Sequence, residues 1–225
     1  MNTLQRFLSI GAALWLAAGA AAAPRGELNF SLGGMFPQGN YAHFADPGFT
    51  MNLTGNFRVP GFGVLGGWVD GNASFFGSDE SYVEVIDHPY YSHADQTTSE
   101  YAISVHGGLQ FGFDTERGFF RPRVGLGPGI YIFNTETKLT IPDVEEPLSE
   151  DTESQWKLGW RGVAGVDLFF VTKWGLSLGF TYDHVLGLDH IDEYVEGVGV
   201  VRKSRTARFQ SYLIGVTIPF SKMKD

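Results

Sequence analysis

The sequence predicts an all-β fold: eight antiparallel strands wound up and down into a closed barrel that crosses a membrane. Three observations lead there. Apolar residues recur at every second position through eight segments, the period of a strand with two unlike faces. Short and long connections alternate strictly between those segments, which puts all turns at one end of an up-and-down barrel and all loops at the other. The first residues read as an export leader. Composition agrees. The chain has 225 residues, 43% hydrophobic and 18% charged, with 15% aromatics and 30 glycines, a mixture that suits short strands and tight turns. There are no cysteines, so neither a disulfide framework nor a thiolate metal site is available.

The elements follow in chain order. "MNTLQRFLSIGAALWLAAGAAAAPRG" has a polar start with Arg6, an apolar run over 7–19 and a string of alanines. That is the layout of a signal peptide, assigned to 1–22 with cleavage after Ala22. The run is short for a spanning helix, which needs about 20 apolar residues, and no later segment approaches that length. The barrel is assigned to 25–220 and a short tail to 221–225. In the first segment Leu28, Phe30, Leu32 and Phe36 alternate with Glu27, Asn29 and Ser31. The second sets Phe49, Met51, Leu53 and Phe57 against Thr50, Asn52, Thr54 and Asn56. The third sets Leu65, Val69, Ala73 and Phe75 against Trp68, Asp70, Asn72 and Ser74. The fourth sets Tyr101, Ile103, Val105, Leu109 and Phe111 against Glu100, Ser104, His106 and Gln110.

The fifth, "FFRPRVGLGPGIYIF", sets Phe120, Val124, Leu126, Ile130 and Ile132 against Arg121, Arg123, three glycines, Tyr131 and Phe133. Pro122 and Pro128 each remove a ladder donor, and Pro128 is expected to mark a bulge or a less regular stretch of the strand. The sixth sets Trp156, Leu158, Trp160, Ala164 and Leu168 against Lys157, Arg161 and Asp167. The seventh sets Trp174, Leu176, Leu178, Phe180 and Tyr182 against Ser177, Thr181 and Asp183. The eighth sets Tyr212, Ile214, Val216, Ile218 and Phe220 against Ser211, Gly215 and Thr217. Short connections fall near Pro60, over 114–118 and over 171–173. Long ones are read over 37–48, 77–99, 135–154 and 184–205.

Alternation does not by itself say which face meets water, because a soluble barrel or a sandwich alternates too. Three features decide. The leader exports the chain. The polar face is rich in Gly, Ser, Thr and Asn, where a soluble exterior carries more Lys and Glu. Aromatics gather at both strand ends: Phe57, Phe111, Phe113, Phe120, Trp174 and Phe220 at one, and Phe36, Phe49, Phe75, Tyr101, Trp156, Trp160, Tyr182 and Tyr212 at the other. Two such girdles mark a barrel crossing a bilayer. The last strand, "YLIGVTIPF", is an alternating apolar series ending in Phe. On these residues the chain resembles the small eight-stranded outer membrane barrels, of the OmpA membrane domain, OmpX and OmpW type. The resemblance implies that Tyr212, Ile214, Val216, Ile218 and Phe220 form the assembly signal read by the outer membrane barrel assembly machinery. Here "SKMKD" follows that Phe, where in this class Phe usually ends the chain. The resemblance also implies an outer membrane location among lipid and lipopolysaccharide.

In that fold Arg121 and Arg123 point into the lumen, where they need partners, because buried unpaired charge is costly. Folding segment five on six brings Asp167 to them. Lys157, Arg161, Asp70, Glu100 and Asp183 extend the expected lumen charge network. The net charge of -9 argues against nucleic acid as a partner. Much of it sits in the long connections, one of which has seven acids and a single Lys. A surface partner for these acidic loops is one expectation, and ordinary solvation is the plainer one.

No cofactor is expected. "GLGPG" resembles a phosphate loop but no helix follows it. His43, His88, His93, His184 and His190 show no tight metal-ligand spacing. Four functions remain open: a non-enzymatic barrel with a filled lumen and a structural or surface-interaction role; a narrow OmpW-like channel for small hydrophobic molecules, using Trp68, Tyr131, Phe133 and Leu213; a lipid A-modifying enzyme, for which His184 beside Asp183 would need Ser204 or Ser211; or a soluble secreted ligand-binding barrel.

Overall fold

The computed structural model describes residues 26–43, 45–58, 64–84, 93–112, 119–140, 149–171, 174–195 and 199–219. The proposed signal peptide, Phe113, Phe220 and the C-terminal tail lie outside these residues. The strands are β1 (Gly26–Gln38), β2 (Asp46–Arg58), β3 (Leu65–Glu84), β4 (His93–Gly112), β5 (Phe120–Thr140), β6 (Ser149–Val171), β7 (Trp174–Val195) and β8 (Gly199–Pro219), with a 3-10 turn over Gly39–His43 after β1. Each strand pairs antiparallel with its sequence neighbours, and β1 pairs with β8 to close the barrel. The closing register runs from Glu27↔Pro219 to Gln38↔Arg208. Closure leaves no edge strand, so each strand has a hydrogen-bonded neighbour on both sides.

The apolar face points outward. Leu126 is 60% exposed, Ile130 48% and Leu158 67%, whereas Arg161 is 1% exposed. A soluble barrel would show the reverse. The outer aromatics at the long-connection end touch in sequence around the wall. Phe49 stacks on Phe75 at 4.7 Å and Phe75 on Tyr101 at 6.5 Å. Tyr212 meets Phe36 at 5.9 Å and Phe180 at 5.4 Å. Trp160 packs on Tyr182 and on His184.

Two sequence expectations are corrected. Three of the long connections are mostly strand. β3 and β4 stay paired from Ser78↔Ser99 out to Glu84↔His93, β5 and β6 from Thr135↔Glu153 to Leu139↔Ser149, and β7 and β8 from Leu188↔Arg205 to Val195↔Gly199. A membrane crossing takes about 9–11 residues per strand, and β6 has 23, so roughly half of it stands beyond the lipid. Beyond the lipid no outward apolar face is required, so the apolar alternation stops while the backbone ladder, which needs none, continues.

The second correction concerns Pro128. Its ladder to β6 runs unshifted through Pro128↔Trp160, and on the β4 side the register is the same at His106↔Gly129 and Leu109↔Leu126. There is no bulge. The β4 pairing lapses only between those two positions, where Gly107 and Gly108 face Gly127 and Pro128. The backbones approach closely there: a Cβ on Gly127 would collide with the Gly107 carbonyl oxygen, and one on Gly108 with that of Leu126. Glycine opposite proline makes the missing N–H a matter of close packing and leaves the register intact.

Candidate functional site: the lumen

Inward side chains line the barrel in four layers. At the short-turn end stand Glu27 of β1, Arg58 of β2, Arg121 and Arg123 of β5, and Asp167 of β6. Arg121 donates from Nη1 to Glu27 Oε1 at 2.8 Å, and its guanidinium lies 4.2 Å over the Phe169 ring. Arg123 Nη1 is 3.2 Å from Asp167 Oδ2, and its Nη2 donates to Ser177 Oγ at 3.1 Å. Thr217 donates to Asp167 at 2.9 Å and accepts from Asn29 at 2.8 Å. Although Arg121 and Asp167 are cross-strand neighbours, the acid pairs with Arg123, and Arg121 reaches to β1 instead.

A polar layer of Asn29, Ser31, Asn52, Thr54, Asn56 and Gln110 comes next, roofed by Trp68, all of them buried. Above it sits a charge cluster that spans the lumen. Asp70 of β3 and Asp183 of β7 stand on opposite walls. Arg161 of β6 bridges them, with Nε and Nη2 forked onto Asp183 at 2.8 and 3.1 Å and Nη1 on Asp70 at 3.1 Å. The fork uses the planar geometry particular to arginine. His106 of β4 lies between the acids, with Nδ1 2.5 Å from Asp70 and Nε2 3.7 Å from Asp183. Tyr131 Oη donates to Asp183 at 2.5 Å, and its ring meets His106 edge-on at 4.8 Å.

The outer layer is an apolar cap of Met35, Tyr41, Phe76, Phe133, Val185 and Phe209. Phe76 meets Tyr41 at 5.6 Å and Phe209 at 5.8 Å, in edge-to-face pairs. Tyr41 enters from the 3-10 turn and donates to Glu100 Oε2 at 2.9 Å. Burial, then the Glu100 carboxylate, push the Tyr41 phenol well above its ordinary range, so it remains a donor.

The residues expected to form one network therefore fall into three groups. Asp70, Arg161 and Asp183 meet in mid-lumen. Arg121, Arg123 and Asp167 meet at the short-turn end. Glu100 stands apart under the cap, accepting from Tyr41 and from Thr135 at 3.4 Å. Lys157 is half-buried on β6, across from Tyr131. Sequence reasoning left out His106, Glu27, Tyr41, Met35, Phe76 and Phe209. His106 and Glu27 lie at inward positions of the alternation, which was the available signal. Phe76 follows outward Phe75, and Phe209 lies close to a stretch read as loop. Tyr212, Ile214, Val216 and Ile218 are exposed along the outside of β8.

The catalytic grouping is not assembled. Asp183 is fully buried in the lumen, while His184 faces outward and stacks on Trp160 at 5.2 Å. Ser211 is buried inside, on the other side of the wall from His184, and the Ser204 side chain lies outside the described residues. Among the other histidines read for metal binding, His88 lies outside the described residues, as do the side chains of His43, His93 and His190.

Residues 10–217 match the model of a family described as the outer membrane protein beta-barrel domain. The chain belongs to that family. This outer membrane barrel is also similar to solved structures. It aligns with Neisserial surface protein A (NspA) at 15% identity and a TM-score of 0.50, covering 87% of this chain and 97% of that one. A major outer membrane protein from Thermus thermophilus aligns at 9% identity and a TM-score of 0.50, covering 86% and 99%. OprG from Pseudomonas aeruginosa aligns at 14% identity and a TM-score of 0.49, covering 89% and 97%. At identities this low, the likeness to NspA and to the Thermus protein speaks to the fold alone. A search among curated proteins found no match. Being an outer membrane barrel, the protein sits in the outer membrane, its short turns toward the periplasm and its extended hairpins outside.

Proposed function

We propose that this outer membrane barrel is a non-enzymatic, non-conducting envelope protein whose extended acidic hairpins provide a structural or interaction surface outside the cell. One observation carries the reading: the Asp70–Arg161–Asp183 bridge from wall to wall, under an aromatic cap, leaves no continuous path along the axis. An eight-stranded barrel has an interior about wide enough for side chains alone, and here they fill its outer half. That filling also speaks against a channel for small hydrophobic molecules, because Tyr131 and Phe133 pack against Phe209 and Phe76 instead of lining a pocket. The separation of His184 from Asp183 and Ser211 by the barrel wall speaks against a lipid A-modifying enzyme. The lipid-facing wall suits contact with lipopolysaccharide, and the outer face of β8 suits recognition by the barrel assembly machinery. The test is conductance in planar bilayers. The folded protein is expected to give no discrete steps; regular single-channel openings would refute the reading.

A further inference from the structure

Below the charge cluster the lumen is not filled. One small cavity is lined by the Asn29–Ser31–Asn52–Asn56 wall, Trp68, Gln110 and Arg123. A second, with about 460 Å³ counted out to where it opens, lies at the short-turn mouth around Glu27, Arg58, Arg121, Arg123 and Asp167. The two share Asn56, Gln110 and Arg123. The two adjoin at these residues and are taken together as one vestibule at the short-turn end, below Trp68 and the charge cluster.

Its walls hold an unusual number of unused polar atoms. Arg121 Nε, Asn56 Nδ2 and Trp68 Nε1 are buried donors with no hydrogen-bond partner in the protein, whereas Arg123 Nη1 is held in the ion pair with Asp167. Asn52 Oδ1, Gln110 Oε1 and Ser31 Oγ are in the same condition. Buried polar atoms are ordinarily paired, and a group of unpaired ones around one cavity signals something they are built to meet. Asn56, Trp68, Gln110 and Arg121 are each more than nine-tenths buried, so bulk water does not serve them. The two lining acids are already engaged, Glu27 by Arg121 and Asp167 by Arg123 and Thr217. Three of the unused atoms are donors only, one of them on the Arg121 guanidinium.

We infer that this vestibule is a periplasm-facing binding site for a small oxyanion of the phosphate class, held between Arg121 and Arg123 with Trp68 Nε1 and Asn56 Nδ2 as neutral donors. Guanidinium groups suit such oxygens, because charge-assisted hydrogen bonds to phosphate are the strong ones. The acceptors Asn52 and Gln110 suit a protonated oxygen or an attached hydroxyl. The phosphate could come free in the periplasm or as the headgroup of an inner-leaflet phospholipid.

The experiment uses the full mature barrel folded in neutral detergent micelles, with tryptophan fluorescence and the thermal unfolding midpoint as readouts. One arm titrates inorganic phosphate against chloride at matched ionic strength. The other adds phosphatidylglycerol to the micelles with no free phosphate. Arg123→Gln and Trp68→Phe are compared with the parent, each checked for folding by its mobility shift on heating. A saturable rise of the midpoint in either arm, reduced at least tenfold in apparent affinity by Arg123→Gln and weakened by Trp68→Phe, supports the site, and the responding arm names the source. No saturable response in either arm beyond that of chloride, or a response that a folded Arg123→Gln retains, overturns it. Neither result depends on whether the barrel conducts.

Discussion

Arg161 is the side chain on which the lumen turns. It has three charge-assisted hydrogen bonds, all to carboxylates that have almost no access to water. Removing one partner of a buried ion group leaves the other charges uncompensated, at a cost of about 3–5 kcal/mol. Arg161→Met is therefore expected to lower the unfolding free energy by that amount, read as an earlier midpoint in urea for the barrel folded into vesicles. A loss under about 1 kcal/mol, the usual worth of an exposed pair, would show that water reaches the cluster. The outer face obeys the opposite rule. Leu126 lies on the lipid side, and an arginine near the bilayer centre costs roughly 2–4 kcal/mol. Leu126→Arg should destabilise the vesicle-embedded barrel by that much. The two substitutions, one removing and one adding an arginine, both destabilise because the wall between them separates a polar filling from lipid. Arg161 and Leu126 were legible at this scale because each sits on a consistent alternation. The partners were legible only in part. Asp167 was expected near both Arg121 and Arg123; it lies opposite Arg121 and pairs with Arg123, but Arg121 takes Glu27 of β1, 94 residues away in sequence, and that distance closes only when the barrel does.

At the scale of the element, the hairpins outlast the membrane. β3 and β4 pair beyond the irregularity between Phe75 and Ser78, carrying the chain into water without a core of their own. Such a ladder is held by backbone bonds and cross-strand side-chain pairs worth about 0.2–1 kcal/mol each, so it adds little to the barrel. Excising 79–98 and joining Ser78 to Ser99 through an Asn-Gly turn, the favoured two-residue hairpin link, is expected to leave a barrel that still folds and shifts mobility on heating. Failure to fold would mean that the hairpin helps nucleate closure. The sequence was misleading here for a definite reason. Apolar alternation reports where one face of a strand meets lipid. It does not report where the ladder ends, so the outer halves of six strands read as loop.

For the whole molecule, the closed wall makes stability cooperative. Within the wall every strand pairs on both sides, so no strand can peel away there without breaking the ring of β1 to β8. An outer membrane barrel of this kind should fractionate with the outer membrane and migrate on an unheated gel faster than after boiling; a single mobility under both conditions would contradict a closed barrel. The strand number, the inside-out polarity and the membrane were determined by the sequence alone, because period-two alternation, aromatic girdles and unequal connections are local properties that need no partner. Tertiary structure alone decided the lumen. The division of its charges into separate groups, the entry of Tyr41, Phe76 and Phe209 as a cap, and the vestibule beneath Trp68 all depend on which residues face each other across the closed ring. That is fixed by strand register and tilt around the circle, and no one strand carries the information.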